Sequence, residues 1–531
     1  MDLQYSRKIS TLSLSATVVA MLLFVSPAFA ASSQSQTSSN SSKSVFTANP
    51  PKSMVTGAST ASAINGIAPF CGSGVLCYPP QFIATAYDFP ATHGAGALTG
   101  KGQTIVIVDA FGSPTLQSDL NTFDTTFGLP SGTVTVLCGP TWTGSKADHC
   151  PKPSPGSPID LLCGEEGWAY ETTLDVQMSH AMAPGAKIVL VVSTDCLDTS
   201  FNAAEAAVVA QSKYAGSIMS QSFGEPEHGA GCSSTCGGYN ATIVNAAHAI
   251  YSSAIAQGWT VLASSGDDGA NTNTFVSGTT ELTAAWPSTD PLVLATGGTM
   301  GSPVGGQYGL NLPSTCAPHK FCNTGLVTML GGESGCGTGA NLAPSGCRPI
   351  GYGGESAWNE YNIFGAGTST GGGISSIYGR PSFQSALPHS YTTLFGSTVK
   401  ANGRAVPDVA FNAAIMGGIL NYDGFPSIWG GTNGYYILGG TSAASPAWAA
   451  IVALLGQAHG GPVGYITPQI YQLAESSSYS TVFHDISTGN NSISAGQLGI
   501  DGFNAGKGYD LTTGWGSVDV SNFIAEMLPL L

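Results

Sequence analysis

The stretch Gly440-Thr441-Ser442-Ala443-Ala444-Ser445-Pro446 runs directly into an apolar segment, Ala447 to Ala458, and this junction constrains the chain more than any other. The apolar run reads as a buried helix, so the fold needs a core large enough to enclose it. A turn of small residues then presents one serine at the helix mouth, where the N-terminal end favours developing negative charge. Ser442 is therefore a candidate nucleophile. Gly-Thr-Ser is also an ordinary helix-capping sequence, so the serine takes its meaning from the rest of the chain.

A serine hydroxyl is a weak nucleophile and needs a neighbouring base. The nine histidines supply no His-Gly-Thr-His context, and His180, His228, His248 and His484 share no motif. The carboxylates do better. Glu171 and Asp175, in Tyr170-Glu171-Thr172-Thr173-Leu174-Asp175, are four apart in a segment with helical apolar spacing. That spacing puts both on one helix face. Two acids so placed cannot both ionise cheaply, so they share a proton and their pKa values separate. The bland alternative is a pair of acids on a solvated face. An Ala-Pro-Gly turn, Ala183 to Gly185, and an apolar strand, Lys187 to Val192, follow directly, which suits the edge of a cleft.

A third segment, Ala263-Ser264-Ser265-Gly266-Asp267-Asp268-Gly269, follows the apolar strand Thr260 to Leu262. Carboxyl groups just beyond the C-terminal end of a parallel strand lie where α/β folds place their sites. Standing alone, the segment reads as a plain Gly-Asp turn.

Together these segments resemble the sedolisin family, the serine-carboxyl peptidases. The resemblance extends over most of the chain, through blocks at Gly102 to Asp109, Glu171 to Val192, Ser220 to Gly224, Gly258 to Gly269, Trp286 to Thr299 and Glu355 to Asn359. Further blocks are Gly371 to Ser375, Pro381 to Gln384, Arg404 to Asp408, Gly440 to Pro446, and a C-terminal group from His484 to Gly516. The resemblance implies a subtilisin-like parallel β-sheet flanked by helices in a single large α/β catalytic domain. It implies Ser442 as nucleophile, Glu171 as general base, Asp175 as the group that orients it, and Asp267 as oxyanion donor. A glutamate base must be ionised while a carboxyl donor must be protonated, so both conditions hold together only in acid. The expected activity is a serine-carboxyl endopeptidase acting on protein or peptide substrates. A tripeptidyl-peptidase of the same family and a non-catalytic binding protein on the same fold are the alternatives.

The same resemblance implies one structural Ca²⁺ ion, held by the side chains of Asp485 and Asp510 and the carbonyls of Ile486, Gly506 and Gly508. Two carboxylates with backbone carbonyls from glycine turns suit a hard cation. The chain also departs from the family pattern. Only roughly forty residues separate the expected signal cut from Cys71, too few for the usual propeptide domain. Phe223 stands where tryptophan is common, and Asp109, ending the strand Thr104 to Val108, is a short acid behind the catalytic glutamate.

Composition fits a secreted acid enzyme. Arg7 and Lys8, an apolar stretch from Val18 to Val25 and Ala28-Phe29-Ala30 read as a signal peptide over residues 1–30. Residues 31–67, rich in Ser, Thr and Ala, read as a flexible linker ahead of the peptidase domain at 68–531. No other stretch is apolar enough to span a membrane, so the mature chain is expected extracellular, free of the membrane and monomeric. Charged residues are 9 % of the chain, where about a quarter is usual, so protonating its acids leaves little mutual repulsion. The net charge of −16 and the lack of basic clusters count against nucleic acid. Twelve cysteines in a secreted chain imply disulfides. They fall as neighbours, Cys71 with Cys77, Cys138 with Cys150, Cys163 with Cys196, Cys232 with Cys236, Cys316 with Cys322 and Cys336 with Cys347, although spacing leaves the connectivity open.

Two further protease classes fail. An Asp-His-Ser triad on the same fold could take Asp109 as its acid, but lacks its histidine segment. A pepsin-like dyad needs Asp-Thr-Gly or Asp-Ser-Gly, and neither occurs.

Overall fold

The computed structural model describes residues 77–78, 80–90, 96–145, 150, 157, 163–227, 240–270, 282–301, 310–311, 351–364, 367–415, 417–425, 433–495 and 498–531. All belong to the unit Ser44–Leu531. The expected signal peptide and linker lie outside the described residues.

Near-continuous runs of Val, Ile and Leu make strands that are buried on both faces, the pattern of a parallel sheet covered on each side. Thr104–Ala110 (β1) is buried at every position after its first residue. The chain continues through Leu116–Phe127 (α1), Val134–Cys138 (β2), Thr143–Ser145 (β3), Glu165–Met182 (α2), Lys187–Ser193 (β4), Asp198–Val209 (α3) and Ile218–Gln221 (β5). It then forms Ala241–Ala256 (α4), Thr260–Ser264 (β6), Leu294–Gly301 (β7), Glu355–Ala357 (β8), Val409–Asn412 (β9), Gly418–Asp423 (β10), Gly434–Leu438 (β11) and Thr441–His459 (α5). The nine-stranded sheet has the order β8-β7-β6-β5-β1-β4-β2-β3, with β9 also paired to β7. Only β8 and β3, the first and last strands of that path, run antiparallel to their neighbours. This is the expected single large α/β domain with a mostly parallel sheet between helices.

Two apolar clusters flank the sheet. One packs α2, α5 and the β10–β11 hairpin against Ile105, Ile107, Leu190 and Leu262. The other packs α3 and α4 against Val106, Val108, Val191 and Val261. Alternation along β1 therefore feeds both layers. Helix α5 is buried from Thr441 to Gly456, as the apolar run requires, but it begins before Pro446. Ser442 thus lies inside the first turn of the helix. Proline is tolerated so near a helix start because the first N–H groups have no partner in any case. No helix among the described residues is long and apolar enough to cross a membrane.

The disulfides Cys138–Cys150 and Cys163–Cys196 are formed, matching two of the neighbour pairs. The other four pairs involve residues or side chains outside those described.

Candidate active site

Helix α2 is buried almost all round, so Glu171 and Asp175 do not sit on a solvated face. Both are 0 % exposed and point from one side of the helix. Ser442, also 0 % exposed, faces them from the first turn of α5, the helix packed against α2. Asp109 at the end of β1 and Asp267 beyond β6 complete the group at the carboxyl edge of the sheet. The structure therefore brings together the four residues singled out from sequence, with Asp109 behind them.

Burial opposes charge on each acid. It pushes Glu171 well above the carboxylate range; neighbouring Asp175 adds to the rise, and the Ser442 hydroxyl opposes it. Asp175 is raised well above its ordinary value by burial and then by Asp109, while the Ser222 hydroxyl holds it down. Asp109 is pushed up to about 7 by burial, against the pull of the Thr172 hydroxyl. These three acids titrate as one set, and the set carries one negative charge more readily than two. The Ser442 hydroxyl lies close enough to favour ionised Glu171 but closes no hydrogen bond with it. Such contacts commonly tighten only when substrate arrives.

Asp267 is placed by the turn that carries the serine. Its Oδ1 accepts from both the Thr441 N–H and the Thr441 hydroxyl, each at 2.7 Å. Its Oδ2 is buried without a hydrogen-bond partner. That oxygen lies over Gly440, where an added Cβ would come within 2.5 Å of it. Gly440 also has φ +111°, a conformation glycine adopts at little cost. Burial pushes Asp267 up to about 8, against the two Thr441 hydrogen bonds. Its carboxyl therefore keeps a proton throughout the acid range and can donate it as a hydrogen bond.

Two positioning residues were not legible as such in the sequence. The Ser222 hydroxyl donates to Asp175 Oδ1 at 2.8 Å and lies 3.4 Å from the Ser442 carbonyl. In a regular helix that carbonyl would accept from the N–H of residue 446, which in this chain is proline and has none. Pro446 thus frees the Ser442 carbonyl to face Ser222. Thr441, the clamp on Asp267, is the other. Among the described histidines, His180 pairs with Asp124 and His248 with Asp290, while His484 stacks on Tyr352.

The C-terminal oxygen-rich loops also come together. Asp485 Oδ1 accepts from the Gly508 N–H at 2.8 Å, and Asp510 Oδ2 accepts from the Gly506 N–H at 2.9 Å. Both carboxylates thus grip the loop that carries Gly506 and Gly508, two of the three residues whose carbonyls are expected in the donor set. Asp510 is buried, and its hydrogen bonds come from neutral groups of Gly506, Thr512 and Thr513. A buried carboxylate among neutral donors suits a hard cation alongside. Among the described residues no three His, Cys, Asp or Glu side chains converge as a metal cluster. The donor set considered for these loops has two carboxylates, and its remaining ligands are carbonyls.

A parallel α/β sheet that sets a helix-mouth serine against buried carboxyl groups is built like the serine-carboxyl class of subtilisin-like proteins. A sequence profile described as Peptidase_S8, the subtilase family, matches residues 167–509. The chain belongs to that family, in its sedolisin branch. It is 30 % identical over 455 residues to kumamolisin of Bacillus sp. (strain MN-32), covering 85 % of this chain and 64 % of the relative. It is 28 % identical over 451 residues to sedolisin of Pseudomonas sp. (strain 101), covering 82 % of this chain and 60 % of the relative. The chain thus spans less than two thirds of the length of these relatives. A solved structure of Pseudomonas sedolisin, described as a serine-carboxyl proteinase complexed with two molecules of pseudo-iodotyrostatin, has a similar fold. Its TM-score is 0.59 at 24 % identity, covering 85 % of this chain and 98 % of that one.

Proposed function

We propose that this chain is a secreted, acid-active serine-carboxyl endopeptidase that cleaves peptide bonds through an acyl-enzyme on Ser442. The observation that carries this reading is the placement of Asp267. A buried carboxyl, protonated in acid, stands over the turn that delivers the serine, held there by that turn's own threonine. Capping the helix uses Oδ1 alone and leaves Oδ2 without a partner; a protonated Oδ2 over that turn is what a tetrahedral oxyanion would meet.

Ser442 Oγ attacks the substrate carbonyl carbon while Glu171 takes its proton. The carbonyl π electrons move onto oxygen, which accepts a hydrogen bond from protonated Asp267. Collapse breaks the C–N bond, and Glu171 returns the proton to the leaving amine. Water then attacks the acyl-enzyme carbonyl as Glu171 removes its proton; collapse breaks the bond to Ser442 Oγ, which takes that proton back from Glu171 as the carboxylic acid product leaves. Asp175, fixed by Ser222, holds Glu171 and shares its charge; Asp109 backs Asp175. A Ca²⁺ ion held by Asp485, Asp510 and the carbonyls of Ile486, Gly506 and Gly508 would tie the C-terminal loops together, away from the chemistry.

Purified protein incubated with a denatured substrate protein in acid should release internal fragments, and Ser442→Ala should abolish this. Elemental analysis of the same preparation should find calcium, and chelation should lower its melting temperature, since an ion bound only by the folded state stabilises it. Products that are all tripeptides from the N-terminus would assign the tripeptidyl-peptidase alternative. Retained cleavage by Ser442→Ala, or no cleavage by the parent chain, would remove the serine-carboxyl reading.

A further inference from the structure

A second set of buried acids lies on the other face of the sheet, behind the segment that carries Ser222. Asp198 and Glu205 lie on α3, one in its first turn and one two turns on, and each is 1 % exposed. Glu225, 4 % exposed, lies just beyond Ser222-Phe223-Gly224. The Asp198 and Glu225 carboxyls face each other closely enough to interact, and Asp198 in turn acts on Glu205.

The segment between these acids is held to α3 by an aromatic stack. Phe223 stacks on Phe201 of α3 with ring centroids 4.1 Å apart, and Trp168 of α2 packs at a tilt against both rings. Beneath them, the Tyr251 hydroxyl of α4 donates to Gln221 Oε1 at 2.9 Å, one residue before Ser222. That hydroxyl also faces Glu205 and favours its ionised form. The disulfide Cys163–Cys196 fastens the start of α2 to the chain entering α3. The acid set is thus wired to Ser222 through aromatic stacking on one side and Tyr251–Gln221 on the other.

Neither Asp198 nor Glu205 has a cation to balance it among the described residues. The elements around α3 bring Lys187 at the exposed start of β4, Asp109 at the end of β1, and His248 and Tyr251 on α4. Near Tyr251 stand Asp290 and Tyr378. His248 is paired with Asp290 at 2.8 Å, and Lys213 after α3 lies over the Tyr214 ring. The Tyr251 hydroxyl and the Glu225 carboxyl each offer a hydrogen bond, but no cation among the described residues meets a second negative charge entering this desolvated set. The simplest relief is for α3 and the short strand Glu225–Pro226 to part and admit water.

We propose that Asp198, Glu205 and Glu225 form a proton-operated lock that holds the Ser222–Gly224 segment against α3 in acid and releases it near neutrality. They are positioning residues for Ser222, and their effect on catalysis rests on the role proposed above for Asp175; the lock itself does not. Burial pushes Asp198 up to about 6 and Glu205 up to about 8, so in acid both stay neutral and the lock is closed.

The test uses the full chain carrying Ser442→Ala, which cannot digest itself. Hydrogen exchange of residues 218–226, corrected for intrinsic rate, and Trp168 fluorescence are followed from about pH 4 to about pH 8. Protection should fall at least about tenfold across that range. Adding Glu205→Gln or Asp198→Asn, each a neutral isostere, should keep the segment protected to a pH about one unit higher. In the chain with Ser442 restored, the upper limb of the pH–rate profile should move up in the same variants. If the parent keeps full protection at the upper pH, or loses it at the same pH as both variants, the lock is wrong. Those outcomes are read without peptidase activity, so they stand apart from any failure of the proposed function.

Discussion

Ser442 gains its proposed reactivity from carboxyl groups whose burial works against their charge, and the two roles they fill need opposite protonation. Glu171 must lose a proton to act as base; Asp267 must keep one to donate. Asp267, held up to about 8 by burial, sets a ceiling on the pH at which an oxyanion meets a donor rather than a like charge. Rate should fall as pH rises through that titration, and fall again on the acid side as Glu171, held above the usual carboxylate range, takes up a proton and loses its basic form. Asp267→Asn keeps a neutral donor at every pH, so its profile should lack this ceiling while the rate itself drops. Asp267→Ala should lose about two to three orders of magnitude in kcat, the usual worth of one oxyanion donor. Steady-state rates against pH for the three proteins decide it, and an Asp267→Ala enzyme as active as the parent would refute the role.

At the scale of elements, the site is a junction between the turn before α5, the buried face of α2 and the ends of β1, β5 and β6. Gly440 is the tightest point of that junction. A side chain there would meet Asp267 Oδ2 at 2.5 Å and be forced to φ +111°. Gly440→Ala should therefore push the oxyanion donor out of place and cost about a hundredfold in kcat. The melting temperature should drop by only a few degrees, the effect of roughly 1–3 kcal/mol of local strain. Undiminished activity in this variant would mean that the turn and the carboxyl are not coupled. The helical spacing of Glu171 and Asp175, the strand before Gly266-Asp267 and the apolar run after Ser442 were all legible in the sequence, because each is a local pattern. The clamp by Thr441 and the hydroxyl of Ser222 were not. Each depends on which distant segment packs opposite, and spacing along the chain carries no record of that. The same holds for Asp198 and Glu205, which read as ordinary helix acids until α3 is set against the sheet.

At the scale of the molecule, buried acids outnumber buried cations among the described residues, and this sets how stability depends on pH. Asp267, Asp423 and Glu205 are each pushed up to about 8, and Asp119 and Asp198 to about 6, with burial the largest cause in every case. Each folded value lies above the unfolded one near 4, so the native chain holds protons that the unfolded chain would release. This contribution is fully present below about pH 4 and is lost as pH rises through the folded values toward about 8. Melting of the Ser442→Ala chain should accordingly show its highest midpoint in acid and a continuous fall toward neutrality and beyond. A midpoint that is flat or rising across that interval would contradict the burial of these groups. The order of the chain adds a consequence of another kind. Glu171, Asp175 and Asp267 are all synthesised before α5, and the sheet layers that receive α5 are complete only once β9, β10 and β11 exist. A growing or truncated chain thus carries these acids without the hydroxyl, which joins them only when α5 packs against α2. If the proposed acyl-enzyme forms on Ser442, the order of the chain alone withholds that chemistry from an unfinished copy.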